Sequence, residues 1–149
     1  FGGATSIYSS YLDARIDACI NLDGWMVVVP DNIIKDGIKQ EFMYIGQKQW
    51  DDKLNYEKLN KFIESNTNSS KILIPKTTHY DYSDTPHMSS AARLLKKSGK
   101  LDSKNLKNVL NELILSFFNK NLKGTNIEFQ YYELANKHKI SMIVEEYCD

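Results

Sequence analysis

Three short apolar runs, Asp17 to Leu22, Glu41 to Ile45 and Lys71 to Pro75, alternate with segments whose apolar residues recur at helical spacing. That alternation restricts the fold more than any other feature of the chain. Parallel strands need a crossover of helical length between them, and the crossovers lie over the sheet. The pattern therefore predicts an α/β fold, a mostly parallel sheet with helices on both faces. Ala4, Ile7, Tyr8 and Tyr11 stand at i, i+3, i+4 and i+7 and mark a first amphipathic helix. A second helix carries Leu59, Phe62 and Ile63 on one face, with Asp or Asn residues available as caps, and the turn-rich Asn66-Thr67-Asn68-Ser69-Ser70 separates it from the third strand. Pro86 can start a short helix with Met88, Ala91, Ala92 and Leu95 on its apolar side. Beyond it, Asp102 or Ser103 caps a long helix with a stripe of Leu106, Val109, Leu110, Leu113, Ile114, Phe117 and Phe118, which closes at Lys120, Lys123 and Gly124.

With 149 residues and 42% hydrophobic content the chain can bury one core, so one domain is expected. Nineteen basic and nineteen acidic residues leave zero formal charge, and no nucleic-acid motif is present, which argues against a nucleic-acid partner. The longest apolar run, Trp25 to Pro30, is far below the ~20 residues that span a bilayer. Cys19 and Cys148 make no disulfide framework. The compartment stays open between cytoplasmic and secreted.

Phe1-Gly2-Gly3-Ala4-Thr5 reads as the second half of a nucleophile elbow, G-x-S-x-G, with the serine immediately upstream of Phe1. The elbow is a strained strand-to-helix turn in which the residue two places after the serine must be tiny, the place of Gly2. Gly3 would let the following helix lie close to its strand. Phe1, directly after the serine, would offer its backbone N–H to the oxyanion. Counted from that serine, Asp23 is the twenty-third residue, and His79 follows in the polar loop Thr77-Thr78-His79-Tyr80-Asp81-Tyr82-Ser83-Asp84. The order Ser, Asp, His is that of α/β-hydrolases. Asp23 ends a strand, where open α/β sheets hold their functional groups, and would orient His79, the general base. Asp51 or Asp52 competes for the role of the acid, since it follows the next strand, but both also suit a helix cap. A bland alternative for Asp23 is that Asp-Gly only shapes a turn. His79, Asp81, Asp84 and His87 can also be read as a mixed metal cluster, although their spacing fits no known ligand motif; the expectation is no metal. Lys96-Lys97-Ser98-Gly99-Lys100 reads as a solvated helix end or a peripheral lipid contact, and His138 as a solvated surface residue.

Phe1 to Thr5, Leu22 to Met26, Tyr44 to Gly46, His79 with Asp84, and Leu101 to Ser103 together resemble the platelet-activating factor acetylhydrolase family, in its monomeric, phospholipase-like form. There a G-H-S-F-G-G-A-T elbow leads to an L-D-x-W-M segment that carries the acid. Only the stretch from about Thr125 finds no counterpart. The resemblance implies an α/β-hydrolase fold of which residues 1–149 form the C-terminal part, with the upstream half of the same domain as its partner. A half-sheet of this kind would expose an apolar edge and one bare face. The implied chemistry is hydrolysis of a small ester or of short acyl groups on a phospholipid, with no cofactor. Trp25 and Met26, just past the acid, would line an acyl pocket or belong to the core. The alternative is a non-catalytic fragment or a lipid- or protein-interaction module derived from a hydrolase.

Overall fold

The computed structural model describes residues 2–50, 52–84, 99–125 and 130–148. In chain order they form α1 (Gly2–Leu12), β1 (Ala18–Leu22), a 3₁₀ turn (Met26–Val28), α2 (Asp31–Asp36), β2 (Glu41–Gln47) and α3 (Lys53–Glu64). There follow β3 (Asn68–Ile74), a second 3₁₀ turn (His79–Tyr82), α4 (Ser103–Lys123), α5 (Tyr131–His138) and β4 (Ile143–Cys148). The sheet has the order β1-β2-β3-β4; the first two pairings are parallel and the last is antiparallel. Leu22 lies opposite Ile45 and Gly46 opposite Leu73, so the three parallel strands end together.

Consecutive residues of β2 point to opposite faces, and both faces are apolar. Phe42 and Tyr44 join a core with Ile7 of α1, Met26, Ile33 and Ile34 of α2, and Leu59, Phe62 and Ile63 of α3. Met43 and Ile45 join the opposite core with Ile72 and Ile74 and with Leu106, Val109, Leu113 and Phe117 of α4. This continuous apolar strand is what a sheet covered on both sides requires. The bare face expected from the sequence is therefore not found, because α4 and α5 cover it. Among the described residues β1 is an edge strand.

Helix ends follow the sequence closely. Asp102 caps α4 by accepting from the Asn105 N–H at 2.9 Å, and Gly124 closes it in the left-handed conformation at φ 60°. The predicted stripe of α1 is shifted: its buried residues are Ile7 and Ser10, while Tyr8 is exposed and the Tyr11 hydroxyl donates to Asp36. Close approach at Gly3, where any Cβ would strike the buried Asn21 side chain, turns that line of the helix to the sheet and leaves the tyrosines outside. Cys19, on β1, is buried beneath α1. The helix expected at Pro86 lies outside the described residues.

The stretch after Thr125 contributes α5 and β4. Lys71 of β3 faces Glu145 of β4 in register, and its buried Nζ lies 2.5 Å from Glu145 Oε2 and 3.0 Å from Asn60 Oδ1 of α3. His138 is not a solvated residue. It is buried against α4, its Nε2 lying 2.8 Å from Glu112 Oε1, and Lys137 shares that carboxylate.

Candidate active site

The C-terminal ends of β1, β2 and β3 converge on one carboxylate. Asp23 follows Leu22 directly, has the left-handed φ of 51° that Asp tolerates, and extends the ladder by donating its N–H to the Ile45 carbonyl at 2.7 Å. That conformation turns the side chain inward, where it is 0% exposed. Oδ1 accepts from the Gln47 backbone N–H at 2.8 Å, from Trp50 Nε1 at 3.1 Å and from the Tyr44 hydroxyl at 3.3 Å. Oδ2 accepts from Gln47 Nε2 at 3.0 Å and lies 2.9 Å from His79 Nδ1. The carboxylate fits because Gly46 has no side chain; a Cβ there would stand 2.5 Å from Asp23 Oδ1 and would press on the Tyr44 ring.

Burial pushes the Asp23 carboxyl above the usual carboxylate range, and the Gln47 N–H, His79 and Trp50 pull against that rise. Its charge and their own burial both act on the neighbouring phenols. Burial first, then Asp23, raises Tyr44 far above the usual tyrosine value, and burial raises Tyr56 to about 12. Burial likewise raises Tyr82. These hydroxyls stay neutral donors at any physiological pH; that of Tyr56 donates to the Gln47 carbonyl at 2.6 Å.

The loop that carries His79 is fixed independently of Asp23. Lys76 turns the chain at φ 64°, and Thr77 Oγ1 donates back to the Ile74 carbonyl at 2.6 Å. Asp81 accepts from the Thr78 N–H and from the Gly99 N–H, both at 2.7 Å, so the segment after Gly99 is tied to the same turn. The His79 side chain emerges 53% exposed, in contrast to its buried partner. Trp50 flanks it, with ring centroids 5.5 Å apart.

The structure thus brings His79 to Asp23 and not to Asp52. Asp52 caps α3 by accepting from the Leu54 N–H at 3.0 Å and also receives Trp25 Nε1 at 3.4 Å. Asp51, Phe1 and His87 lie outside the described residues. Asp81, read as a metal-ligand candidate, accepts through its carboxylate from Thr78 in its own turn and from the Gly99 N–H. Met26 is fully buried in the core below the acid turn, the second of the two places expected for it, and Trp25 stands at the surface. Gly3 abuts Asn21, whose Oδ1 accepts from the Gly24 N–H at 2.6 Å, so one buried amide touches both the first turn of α1 and the turn of the acid.

Gln47, Trp50, Tyr44 and Gly46 were not recognised from sequence as site residues. The one available signal was a glycine at the end of a buried strand, a position that often marks close approach of another group.

A family model described as platelet-activating factor acetylhydrolase, isoform II, matches residues 1–140. The platelet-activating factor acetylhydrolase of Cavia porcellus is 27% identical over 124 residues, which is 82% of this chain and 28% of that protein. Among solved structures, the ferulic acid esterase from Streptomyces cinnamoneus superposes with a TM-score of 0.72 at 18% identity, over 97% of this chain and 44% of that one. The chain therefore spans less than half the length of either relative, and the structural likeness establishes the fold, an α/β-hydrolase sheet.

Proposed function

Since the chain belongs to the platelet-activating factor acetylhydrolase, isoform II, family, we propose that it supplies the acid and the base of a serine ester hydrolase. The observation that carries this reading is the contact at 2.9 Å between a half-exposed imidazole and a fully buried, multiply hydrogen-bonded carboxylate at the ends of the parallel strands. An ion pair that served stability alone would gain little from so costly a burial. A pair that must hold one imidazole tautomer, and then stabilise an imidazolium, needs this arrangement.

In the proposed reaction a serine immediately before Phe1 in the complete protein attacks the carbonyl of a small ester or of a short acyl chain on a phospholipid. His79 takes the serine proton on Nε2 while Nδ1–H remains donated to Asp23, and it returns the proton to the leaving alcohol. The oxyanion is met by the Phe1 backbone N–H, and Gly2 and Gly3 allow the tight turn into α1. Water then cleaves the acyl-enzyme with His79 again as base. None of these steps calls on a metal or cofactor. Trp25 is the remaining candidate of its pair for the acyl pocket. The upstream half of the same domain would complete the sheet beside β1, and lipid contact would be peripheral.

The test uses the complete protein and the ester p-nitrophenyl acetate. Replacing the residue before Phe1 by Ala should abolish turnover and labelling by a fluorophosphonate. If turnover survives, the chain is better described as a non-catalytic or interaction module beside some other active centre.

A further inference from the structure

Trp50 touches both members of the pair. Its Nε1–H donates to Asp23 Oδ1 at 3.1 Å, and its ring lies beside that of His79 at an interplanar angle of 55°. We propose that Trp50 is a positioning residue for the acid–base pair, its indole N–H locking the buried carboxylate and its ring flanking the imidazole; this rests on the hydrolase reading above. A carboxylate turns about a broad, two-fold terminal torsion, so an oxygen aimed at a histidine must be held through its twin. Here Oδ2 serves His79, and Oδ1 is held from the strand side by the Gln47 N–H and from the loop side by Trp50. Each donor on Oδ1 also draws negative charge away from Oδ2 and lowers the hold of the pair on the catalytic proton. The indole further displaces water from one flank of a ring that is otherwise half exposed, and so shortens the range of orientations open to it.

Among the described residues, the titratable groups near the pair are the Tyr44 phenol from β2, the Tyr56 phenol from α3, and Tyr80, Asp81 and Tyr82 from the turn of His79 itself. Burial keeps Tyr44, Tyr56 and Tyr82 neutral, so the charge of these three phenols does not change over the range of the measurement.

Trp50→Phe in the complete protein keeps a ring and removes the donor. The acidic limb of kcat/KM for p-nitrophenyl acetate should move to higher pH by on the order of half a unit, and kcat should fall several-fold with KM nearly constant. Thermal stability is measured alongside, since a merely structural residue would lower it and leave the limb in place. A second measurement needs no nucleophile. Residues 1–149 hold two tryptophans, so in that chain Trp25→Phe leaves Trp50 as the sole emitter; its fluorescence should be quenched as the adjacent imidazole protonates, and His79→Gln should abolish that titration. An unmoved acidic limb in Trp50→Phe, or an emission that does not respond to pH in the Trp25→Phe chain, overturns the proposal. Full esterase activity in His79→Ala would instead overturn the hydrolase reading, while the fluorescence titration would remain to be seen in the Trp25→Phe chain.

Discussion

At the scale of single residues, the site depends on one carboxylate that four side chains and one backbone N–H surround, and on one missing side chain that makes room for it. Gly46→Ala should therefore be more damaging than its single added methyl suggests. The new Cβ would displace Asp23 Oδ1 or the Tyr44 ring, so about 1–3 kcal/mol of stability should be lost in denaturant unfolding, together with at least tenfold in turnover. In the complete protein His79→Ala should cost on the order of 10⁶ in kcat, and Asp23→Asn on the order of 10⁴, because Asn presents an N–H₂ where an acceptor is needed and reverses the tautomer. Wild-type turnover of p-nitrophenyl acetate in Asp23→Asn would remove Asp23 from the mechanism. Asp23 and His79 were legible beforehand because their order in the chain, their placement after strands and a resemblance all pointed to them. Gln47 and Trp50 were not. They reach Asp23 across the β1–β2 pairing, and no local spacing announces a partner on a neighbouring strand.

The elements divide in the same way. The three parallel strands, α1, α3 and α4 announce themselves by apolar runs, caps and stripes, and the structure follows them to within a few residues. β4 does not, because Ile143 and Val144 are followed by Glu145 and Glu146, and two adjacent carboxylates break any alternation a reader would trust. In the strand, Glu145 stands opposite Lys71, buried on β3, and meets its charge. Glu145→Ala should thus cost about 1–3 kcal/mol, less than a fully buried pair, and should speed amide exchange along β4 before it does so along β2. The sign of the pH dependence follows as well. Burial tends to raise the Glu145 carboxyl, but hydrogen bonds from Lys71 and Tyr147 and the Lys71 charge hold it below the usual value. A lowered carboxylate contributes stability that is complete above its unfolded value and is lost as the pH falls through the folded one. Solvent reaches this side chain, so the contribution is at most about 1 kcal/mol. Wild type should accordingly show a steeper fall in Tm between about pH 5 and 3 than Glu145→Gln; equal slopes in the two would show that the pair does not couple to folding.

For the molecule as a whole, the proposal places the nucleophile outside residues 1–149 and the acid and base within them. A fluorophosphonate probe should label the complete protein at the serine before Phe1 and leave the 149-residue chain unmarked. Labelling of that chain at a residue of its own would show the chemistry to reside elsewhere. In the proposed enzyme α1 is the rigid support behind the nucleophile, and its attachment to the sheet is open to direct measurement. Cys19 lies 3% exposed on β1 beneath that helix, and burial raises its thiol, against a weaker opposing hydrogen bond from Ser10. In a Cys148→Ser background a thiol reagent can reach Cys19 only when α1 lifts, so the modification rate, divided by that of an unprotected thiolate, gives the free energy of the lifting event. Occupying the active centre with a covalent acyl group should slow that exchange if the elbow and its helix move as one body, which turns an inert core cysteine into a clock for the stiffness of the catalytic frame.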